Sequence, residues 1–547
     1  MTTSQAPCAD IVLRGGTIWC GLGLPTVEAI ALGDGVVLET GDAEAVAPLI
    51  GPHTRVVDLA GRLATPGLND AHMHLIPYGT AMAEVDLRPS AAPTLAALLS
   101  ALRDRAATLP RGEWVIGRGY DHFRLDTGRH PYREELDEAV PDHPVYIVRT
   151  DGHLAVANSR ALALAGITED TPSPPGGLIE RQNGRLTGMV AETGREPLMN
   201  VLPRASVEAL VESIERGGAD LLARGITSVM EAAVGIRDGW TEMEAYQEAH
   251  ATGRLPVRVY ATLMGDKTRS ILPQCSAAGL LSGTGDDRLR IGAVKIFTDG
   301  SAGGRTAAMT RPYLGGDPDD LGLLCLSDEE VTDMVMAGHE AGYRFAIHAI
   351  GDAAIEQVLN AYEAALAAHP DPDRRHRIEH CGWLRPDQMA RMTQMHVLPA
   401  PQPAFLYYFG DLYLTLAERE RVEASHPMRT WIEAGLTPSA STDCPVVEID
   451  PFANLYTMVT RKTSAGTVLG AEHCLSMEEA LDAYTRASAY AAHEETIKGR
   501  LVPGQLADVA VFDTDLLTCA PEEILTTRCD LTVLGGEIVF ERGAVPA

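Results

Sequence analysis

Apolar runs alternate with amphipathic segments through most of the chain from about Ala205 onward. Ser206–Arg224 has the 3.6-residue period of a helix, and the apolar run Gly225–Met230 follows it. The same unit, a helical stretch followed by a short aliphatic run, recurs as far as Ser441. Repeated units of this length indicate parallel strands, because parallel neighbours need long and usually helical crossovers.

Eight aliphatic runs fit this alternation. The predicted strands, in chain order, are Arg62–Leu68, Gly225–Met230, Val257–Tyr260, Gly292–Phe297, Tyr343–His348, Arg377–His380, His396–Pro399 and Pro438–Ser441. Eight units suit closure, and no GxGxxG sequence follows any of the strands, which disfavours an open doubly wound sheet. We therefore predict an α/β fold, a (β/α)8 TIM barrel over residues 63–497.

Both ends of the chain carry short β-rich runs that Gly-Gly pairs separate, at Gly15-Gly16 and at Gly535-Gly536. Because the ends of a domain often lie close together, residues 1–62 and 498–547 are predicted to form one small composite β-sandwich. Residues 77–203 mix helices, strands and Pro/Gly-rich loops and do not follow the alternation. We interpret them as an insertion after the first barrel strand that forms a lid or a pocket wall.

Composition and charge narrow the function classes. The net charge of −30 argues against a nucleic-acid partner, since phosphate neutralisation requires basic patches. The sequence contains no secretory signal and no apolar run of about 18 residues, so neither export nor a membrane partner is expected. The nine cysteines include no CxxC pair, which predicts a reducing, cytoplasmic location. Homo-oligomer formation stays open.

Two histidines, His72 and His74, follow the run Ala64–Asp70. On a strand, residues two apart point the same way, so both imidazoles can face one point. At the C-terminal mouth of a barrel strand, that point is the barrel axis. Imidazole is a common ligand of zinc and similar metals, although an HxH pair alone is as often structural.

Three further residues favour the metal interpretation. His348, His380 and Asp443 each end a predicted strand. A single histidine at a strand end is more often a hydrogen-bonded core residue. In a barrel, however, all strand C-termini converge on one mouth, and it is improbable that all five residues stand there by chance.

Lys295, in the run Val294–Ser301, has two interpretations. A protonated lysine cannot bind a cation and would instead pair with Asp299 or another carboxylate. A partly desolvated lysine can lose its proton and take up carbon dioxide, which gives a carbamate whose oxygens would bridge two metal ions.

Eight segments in family order resemble the amidohydrolase superfamily, and within it the YtcJ-like, N-substituted formamide deformylase-like branch (amidohydrolase family 3). They are TPGLNDAHMHL (Thr65–Leu75), GRGYD (Gly117–Asp121), RTDGHLAVANSRAL (Arg149–Leu162), VKIFTDGSAGGRTAAM (Val294–Met309), AIHAIGDAA (Ala346–Ala354), RIEHC (Arg377–Cys381), STDCPV (Ser441–Val446) and LVPGQLADVAVFD (Leu501–Asp513). The resemblance implies a barrel with a terminal β-sandwich. It also implies a metal site that comprises His72, His74, His348, His380 and Asp443, with Lys295 as the bridge.

The sequence departs from the family pattern at two places. Tyr120 stands where related chains often have Trp, and Met230-Glu231 stands where they tend to have a His-Asp pair. Neither departure removes a predicted ligand, but both could alter how a substrate fits.

These residues predict a hydrolase that cuts a non-peptide C–N bond of amide or N-substituted formamide type in a small-molecule substrate. One or two divalent ions, with Zn²⁺ favoured by ligand type, would activate water, and Asp443 would serve as general base and then acid. Deamination, isomerisation or dehydration of a cyclic substrate at the same site is the alternative. A non-enzymatic metal-binding scaffold is the third hypothesis.

Five polar residues are candidates for substrate contacts, each with an equally simple structural role. Loop hydrogen bonds or surface pairing would explain them without a substrate. They are Tyr120, Asp121, His153, Arg305 and Gln402.

Overall fold

Strands and helices alternate along the chain in the computed structural model, which describes residues 8–150, 152, 154–174, 177–317 and 319–543. The strands in this part of the chain are β1 Ile11–Trp19, β2 Thr26–Gly33, β3 Val36–Gly41, β4 Arg55–Asp58, β5 Leu63–Pro66, β6 Leu68–Met73, β7 Val85–Asp86, β8 Val115–Tyr120, β9 Val145–Arg149, β10 Leu154–Ala157, β11 Gly177–Gln182, β12 Arg185–Glu192, β13 Ile226–Val234, β14 Arg258–Met264, β15 Leu289–Phe297, β16 Arg344–Ala349, β17 Arg377–His380, β18 Leu398–Ala400, β19 Val509–Phe512, β20 Cys529–Leu534 and β21 Glu537–Glu541.

The α-helices vary from short single turns to long crossover helices. They are α1 Ala43–Val46, α2 Leu75–Ala81, α3 Leu95–Ala106, α4 Arg133–Ala139, α5 Ser159–Leu164, α6 Glu196–Val201, α7 Val207–Leu222, α8 Trp240–Ala251, α9 Leu272–Ala277, α10 Asp328–Glu340, α11 Asp352–Ala368, α12 Pro386–Met395, α13 Ala404–Leu416, α14 Arg419–Glu423, α15 Met428–Glu433, α16 Pro451–Thr460, α17 Met477–Ala483, α18 Arg486–Ala491 and α19 Pro521–Ile524. None of the described helices combines the length and the apolar character that crossing a membrane requires.

Two units of structure divide the chain, one made of residues 1–75 and 218–547 and the other of residues 76–217. In the first unit, seven parallel strands form a sheet in the order β18-β17-β16-β15-β14-β13-β6. Every residue of β6, β13 and β14 is buried. Parallel strands that are covered on both faces read as continuous apolar runs, which is how the sequence indicated β13 and β14.

An extended segment near Ala440 links the two edges of this sheet. Ser439 N–H donates to the carbonyl of Pro399 on β18 at 3.4 Å, and Ala71 N–H on β6 donates to the Ala440 carbonyl at 3.1 Å. This segment was predicted as the eighth strand, but its described residues are not in regular strand conformation. The parallel sheet is thus nearly closed, as expected for a barrel.

The strand predicted over Arg62–Leu68 is in fact two strands in two different sheets. β5 pairs with β1 and β19, whereas β6 pairs with β13. Gly67 separates them, and a side chain at this position would collide with Thr227. The sequence pattern missed the break because residues on both sides of it are equally buried.

Both ends of the chain contribute to one eight-stranded sheet, in the order β21-β20-β19-β5-β1-β2-β3 with β4 beside β1. Its core includes Leu13, Ile30, Val509 and Val533. Both ends of the chain thus lie in a single sheet, and the predicted β-sandwich arrangement of this sheet is not confirmed.

The second unit contains the segment that was predicted as an insertion, residues 77–203. Its sheet has the order β11-β12-β10-β9-β8-β7, in which β7, β8 and β9 are parallel and the remaining pairs are antiparallel. Its core includes Leu98, Leu102, Leu136 and Val145. This mixed sheet explains why the sequence of this segment does not show the barrel alternation.

Candidate metal centre

β6 delivers two of the predicted ligands. His72 lies on the strand and His74 directly follows it. The Nε2 atoms of both rings are 3.4 Å from the same carboxylate oxygen, Oδ1 of Asp443. The period of two residues along a strand thus brings both imidazoles to one side, as the HxH pattern predicts.

Three ligand-type residues form the centre of the site. His72, His380 and Asp443 are buried, and each offers one ligand atom such that these atoms lie within 4.8 Å of one another. Two ligands held about 2.1 Å from one tetrahedral ion lie about 3.4 Å apart, which is the spacing between Asp443 and His72. Moreover, Nε2 of His72 is buried and makes no hydrogen bond in the described part of the chain. The residues present therefore fit a divalent metal ion.

Two of these residues occupy an unusual backbone conformation. His380 has φ +67° and Asp443 has φ +59°, in the left-handed region that residues other than glycine rarely adopt. Asp443 N–H donates to the His72 carbonyl at 2.8 Å, which ties the segment after residue 441 to β6. Such strain costs on the order of 1–3 kcal/mol per residue and concentrates at functional sites, where surrounding contacts hold it.

Acceptors on the far side of the rings orient two of the histidines. Nδ1 of His72 hydrogen-bonds to Glu379, and Nδ1 of His380 lies 2.6 Å from Oε1 of Gln402. A proton on Nδ1 leaves Nε2 as the lone-pair nitrogen that a metal requires. Arg377 in turn donates to both carboxylate oxygens of Glu379 at 2.8 Å and to the Ala71 carbonyl at 2.8 Å.

The electrostatics of the site favour charged carboxylates. Burial raises the pKa of Asp443, but the imidazoles of His72, His74 and His380 outweigh it and hold that pKa well below its usual range. Burial likewise opposes ionisation of Glu379, yet Arg377 and His72 lower its pKa further than burial raises it. Both groups are therefore carboxylates at neutral pH.

The imidazole of His348 lies next to that of His380, at one side of the metal centre. Its ring centroid is 4.3 Å from that of His380. Its Nε2 lies 3.0 Å from the Gly300 carbonyl and 3.3 Å from Oδ1 of Asp299, so Nδ1 is the nitrogen that remains for a ligand role. The close cluster of ligand atoms among the described residues contains His72, His380 and Asp443 but not His348.

Lys295 lies on β15, in the parallel sheet of the first unit. Its side chain is buried and its Nζ has no hydrogen-bond partner among the described residues. Burial lowers the pKa of this amine to about 8, against the opposing charges of Glu379 and Asp443. The alternative partner, Asp299, instead accepts backbone N–H groups of Ala308, Ile350 and Gly351.

Comparisons with known proteins agree with this geometry. The sequence pattern of the amidohydrolase family matches residues 55–540. The chain belongs to the amidohydrolase family. It is 30% identical over 522 residues to a Bacillus subtilis protein named amidohydrolase YtcJ. This alignment covers 94% of this chain and 96% of the relative. It is 29% identical over 527 residues to N-substituted formamide deformylase of Arthrobacter pascens, with 94% and 95% covered.

A solved structure supports the same assignment at the level of the fold. A metal-dependent hydrolase from Pyrococcus horikoshii OT3, itself uncharacterized, superposes on this amidohydrolase with a TM-score of 0.78. The two share 29% sequence identity over 94% of this chain and 99% of that chain.

The predicted substrate-contact residues of this amidohydrolase fall in different surroundings. Gln402 is buried beside His380, where its amide also donates to Ser441 at 3.0 Å. Arg305 pairs with Asp320 at 2.9 Å. Each thus has an intramolecular partner in the first unit.

Two other candidates, Tyr120 and Asp121, belong to the second unit. Tyr120 is fully buried in its core, with its hydroxyl 2.9 Å from Nδ1 of His130. Asp121 lies 3.3 Å from the Arg149 guanidinium. His153 lies outside the described residues.

Two acidic residues near the ligands were not predicted to act at the site. Glu379 contacts His72, and Glu231 lies 3.8 Å from Nδ1 of His74. A signal existed for Glu379, which directly precedes a predicted ligand on a fully buried strand. A charged residue within such a strand must be paired, and the histidine of a neighbouring strand end is an obvious partner.

Proposed function

We propose that this amidohydrolase is a metal-dependent hydrolase that cleaves a non-peptide C–N bond of amide or N-substituted formamide type. The observation that carries the proposal is the convergence of His72, His380 and Asp443 within 4.8 Å, with Nε2 of His72 buried and unpaired in the described structure. The name of the Arthrobacter relative supports the substrate class.

The metal would be held by His72, His74, His348, His380 and Asp443, as one or two ions with Zn²⁺ favoured by the donor set. A bound divalent ion activates water near neutral pH and polarises a carbonyl group. The protein contributes the orientation of the ligands through Glu379 and Gln402.

Asp443 is proposed as the general base and then the general acid. Its carboxylate is held ionised, and Oδ1 is 3.4 Å from the Nε2 atoms of both His72 and His74. A carboxylate at that place can accept a proton from the attacking water and deliver it to the departing nitrogen. Its left-handed backbone fixes the direction of the side chain.

Carboxylation of Lys295 on Nζ is part of the proposal. The reaction joins the neutral amine to carbon dioxide and releases one proton, which requires an amine that gives up its proton readily. The burial of Lys295 and its pKa of about 8 support this chemistry. Its carbamate oxygens would then bridge the ions.

The substrate is proposed to be a small molecule that contacts some of Tyr120, Asp121, His153, Arg305 and Gln402.

The closed (β/α)8 barrel and the sandwich arrangement of the terminal sheet belong to the same proposal. The barrel geometry would place all of the ligand residues at the C-terminal ends of the strands, where barrel enzymes hold their active sites.

The decisive experiment is a product analysis with the Zn²⁺-loaded protein on N-substituted formamides, N-acyl amino acids and cyclic amides. Release of a free amine together with a carboxylate is the expected result. Ammonia or a rearranged ring would instead show the alternative, deamination, isomerisation or dehydration of a cyclic substrate.

A matched variant tests that the turnover belongs to this site. His72→Ala removes a ligand and should lower both metal content and turnover. His250→Ala is the control, because His250 pairs with Asp286 at the protein surface. Full metal occupancy in the His72 variant, or no turnover by loaded wild-type protein across the panel, would contradict the proposal.

A further inference from the structure

Glu231 is a buried carboxylate beside the first barrel strand. It lies on β13, and its backbone is in register with Met73, the last residue of β6, which stands between His72 and His74. Its side chain is only 2% exposed. A carboxylate with so little access to water must be held by donors, and these donors show what it serves.

One carboxylate oxygen of Glu231 is fixed by two donors. Oε2 accepts the backbone N–H of Leu75 at 2.7 Å and the hydroxyl of Tyr246 at 2.5 Å. Leu75 directly follows His74, so this contact also fixes the backbone that carries the histidine. Tyr246 lies on α8, so its hydrogen bond also ties the carboxylate to that helix.

The second oxygen faces the imidazole. Oε1 of Glu231 is 3.8 Å from Nδ1 of His74, and this Nδ1 is buried and makes no hydrogen bond in the described part of the chain. His72 and His380 each have an acceptor at the same ring nitrogen. Glu231 therefore occupies, for His74, the place that Glu379 and Gln402 occupy for the other two rings.

We propose that Glu231 is the positioning residue of His74, which holds the proton on Nδ1 so that Nε2 faces the metal, and that Tyr246 holds Glu231 in place. Glu231 does not touch the reacting atoms. The inference rests on the metal centre of the proposed function and names the residue that orients one of its ligands.

The substitution Glu231→Gln tests this positioning role against a role in packing alone, because Gln has nearly the same shape as Glu. Oε2 must remain an acceptor, because Leu75 and Tyr246 both donate to it. The amide oxygen therefore takes that position, and the amide nitrogen faces Nδ1 of His74. An NH₂ group can only donate there, so Nδ1 becomes the acceptor and the proton moves to Nε2, the ligand nitrogen.

The expected result is a loss of metal affinity. Metal-free protein is titrated with Zn²⁺ against a chromophoric chelator, without any substrate. Loss of a residue that orients a ligand typically costs about 10–100-fold in metal affinity, and we expect Glu231→Gln to fall in this range. Tyr246→Phe should weaken Zn²⁺ binding in the same direction and to a smaller extent.

Glu242→Gln is the matched control. Glu242 is also a buried carboxylate near the end of β13, but its donors in the described part of the chain are backbone N–H groups, those of Gly235, Arg237 and Asp238. This variant should lose stability without a change in Zn²⁺ affinity. A purely structural role of Glu231 as the acceptor for Leu75 would make the two variants behave alike.

A second readout reports the tautomer itself. In ¹⁵N-histidine-labelled metal-free protein, the His74 signals should change from the Nδ1–H to the Nε2–H pattern in Glu231→Gln. Unchanged Zn²⁺ affinity and tautomer in that variant, or equal affinity losses in the Glu231 and Glu242 variants, would overturn the proposal. If Glu231→Gln does not fold, wild-type affinity in Tyr246→Phe overturns it.

The outcomes also separate this inference from the reaction. Zn²⁺ affinity is measured without turnover, so a wild-type protein that binds Zn²⁺ but hydrolyses no amide would refute the proposed reaction and leave the role of Glu231 intact. If the wild-type protein hydrolyses amides but Glu231→Gln leaves its Zn²⁺ affinity unchanged, the role of Glu231 is refuted and the proposed reaction stands.

Discussion

At the scale of single residues, the centre is built from residues that other hydrogen bonds within the protein already hold in place. His72 and His380 each use Nδ1 inside the protein, and Asp443 is fixed by its backbone bond to the His72 carbonyl. Groups locked in this way need little rearrangement when charge develops, which is the main way in which a protein lowers a barrier electrostatically.

Asp443→Asn tests the proposed proton transfer. The amide oxygen can still face the metal, but an amide cannot accept a proton from water. We expect metal content close to that of the wild type and a fall in kcat of about 10²–10⁴-fold. Metal analysis of the purified variant beside its kinetics checks this, and an empty site would show that Asp443 is needed as a ligand instead.

Lys295→Ala tests the carbamate. The variant should lose turnover, and short-chain carboxylates such as acetate should restore part of it by supplying the missing oxygens. Wild-type protein equilibrated with ¹³CO₂ should show a carbamate signal in its ¹³C NMR spectrum that the variant lacks. Lys267→Ala, which alters an exposed partner of Glu330, serves as the control. An unmodified Lys295 amine in a metal-loaded crystal would contradict the bridge.

The sequence indicated these ligands because each follows an apolar strand, and strand ends in a barrel converge. It could not indicate the orienting residues in the same way. Glu231 reaches His74 only through the register between β13 and β6, which contains irregularities. Gln402 was predicted to contact substrate, and the structure shows it against His380. A sequence pattern identifies a residue type but not which of its neighbours it faces.

At the scale of elements, α10 and β17 are joined by a directional chain of buried histidines. Phe345 N–H donates to Nδ1 of His376 at 3.0 Å, so the proton of His376 is on Nε2, which lies 3.0 Å from Nδ1 of His339. Nε2 of His339 then donates to the His369 carbonyl at 2.7 Å. Every nitrogen is used, so an additional proton has no acceptor.

This chain should make the protein sensitive to acid. Burial, His339, Arg374 and Arg344 hold the pKa of His376 well below its ordinary value of 6.5. The folded state thus binds fewer protons than the unfolded state, so the stabilisation is complete above about pH 6.5 and is lost as the pH falls. The free energy of unfolding should therefore fall as the pH falls below about 6.5.

His376→Gln removes the titration and keeps an amide that can accept and donate. Urea unfolding at several pH values should show a shallower loss of stability below pH 6.5 than in the wild type. His396→Gln, at the C-terminal end of α12, is the control. Parallel pH profiles for wild type and His376→Gln would refute the assignment.

The sequence predicts most of the strands that are buried on both faces of the parallel sheet. β15, β16 and β17 lie where the aliphatic runs indicated. Prediction failed at Gly67, since a continuous buried run conceals a change of sheet, and at Pro438–Ser441, where the chain is extended without regular pairing. Both failures depend on contacts distant in sequence, which local periodicity does not contain.

At the scale of the whole chain, a buried ion pair connects the barrel sheet to the terminal sheet within the first unit. Nε and Nη2 of Arg258, at the start of β14, lie 2.7 and 2.9 Å from the two carboxylate oxygens of Asp508. Oδ1 of Asp508 also accepts the Gly535 N–H at 2.8 Å. The pair thus holds the start of β14 next to the turn between β20 and β21.

Arg258→Met should reduce the free energy of unfolding by about 3–5 kcal/mol, because it leaves the Asp508 charge buried without its cation. The double variant with Asp508→Leu should be less destabilised than the sum of the two single variants. Arg55→Met is the control, since the Arg55–Glu541 pair is exposed and worth at most about 1 kcal/mol. Additive effects in the double variant would show that the pair is not coupled.

The terminal sheet has a consequence for biosynthesis. β5 pairs with β19, so Leu63–Pro66 must wait for Val509–Phe512 to leave the ribosome before this part of the sheet can form. Closure over so long an intervening chain carries a large entropic cost and slows assembly. The nascent protein consequently exposes one apolar strand edge until Val509–Phe512 has been synthesised, and chaperones or misassembly would act at this edge.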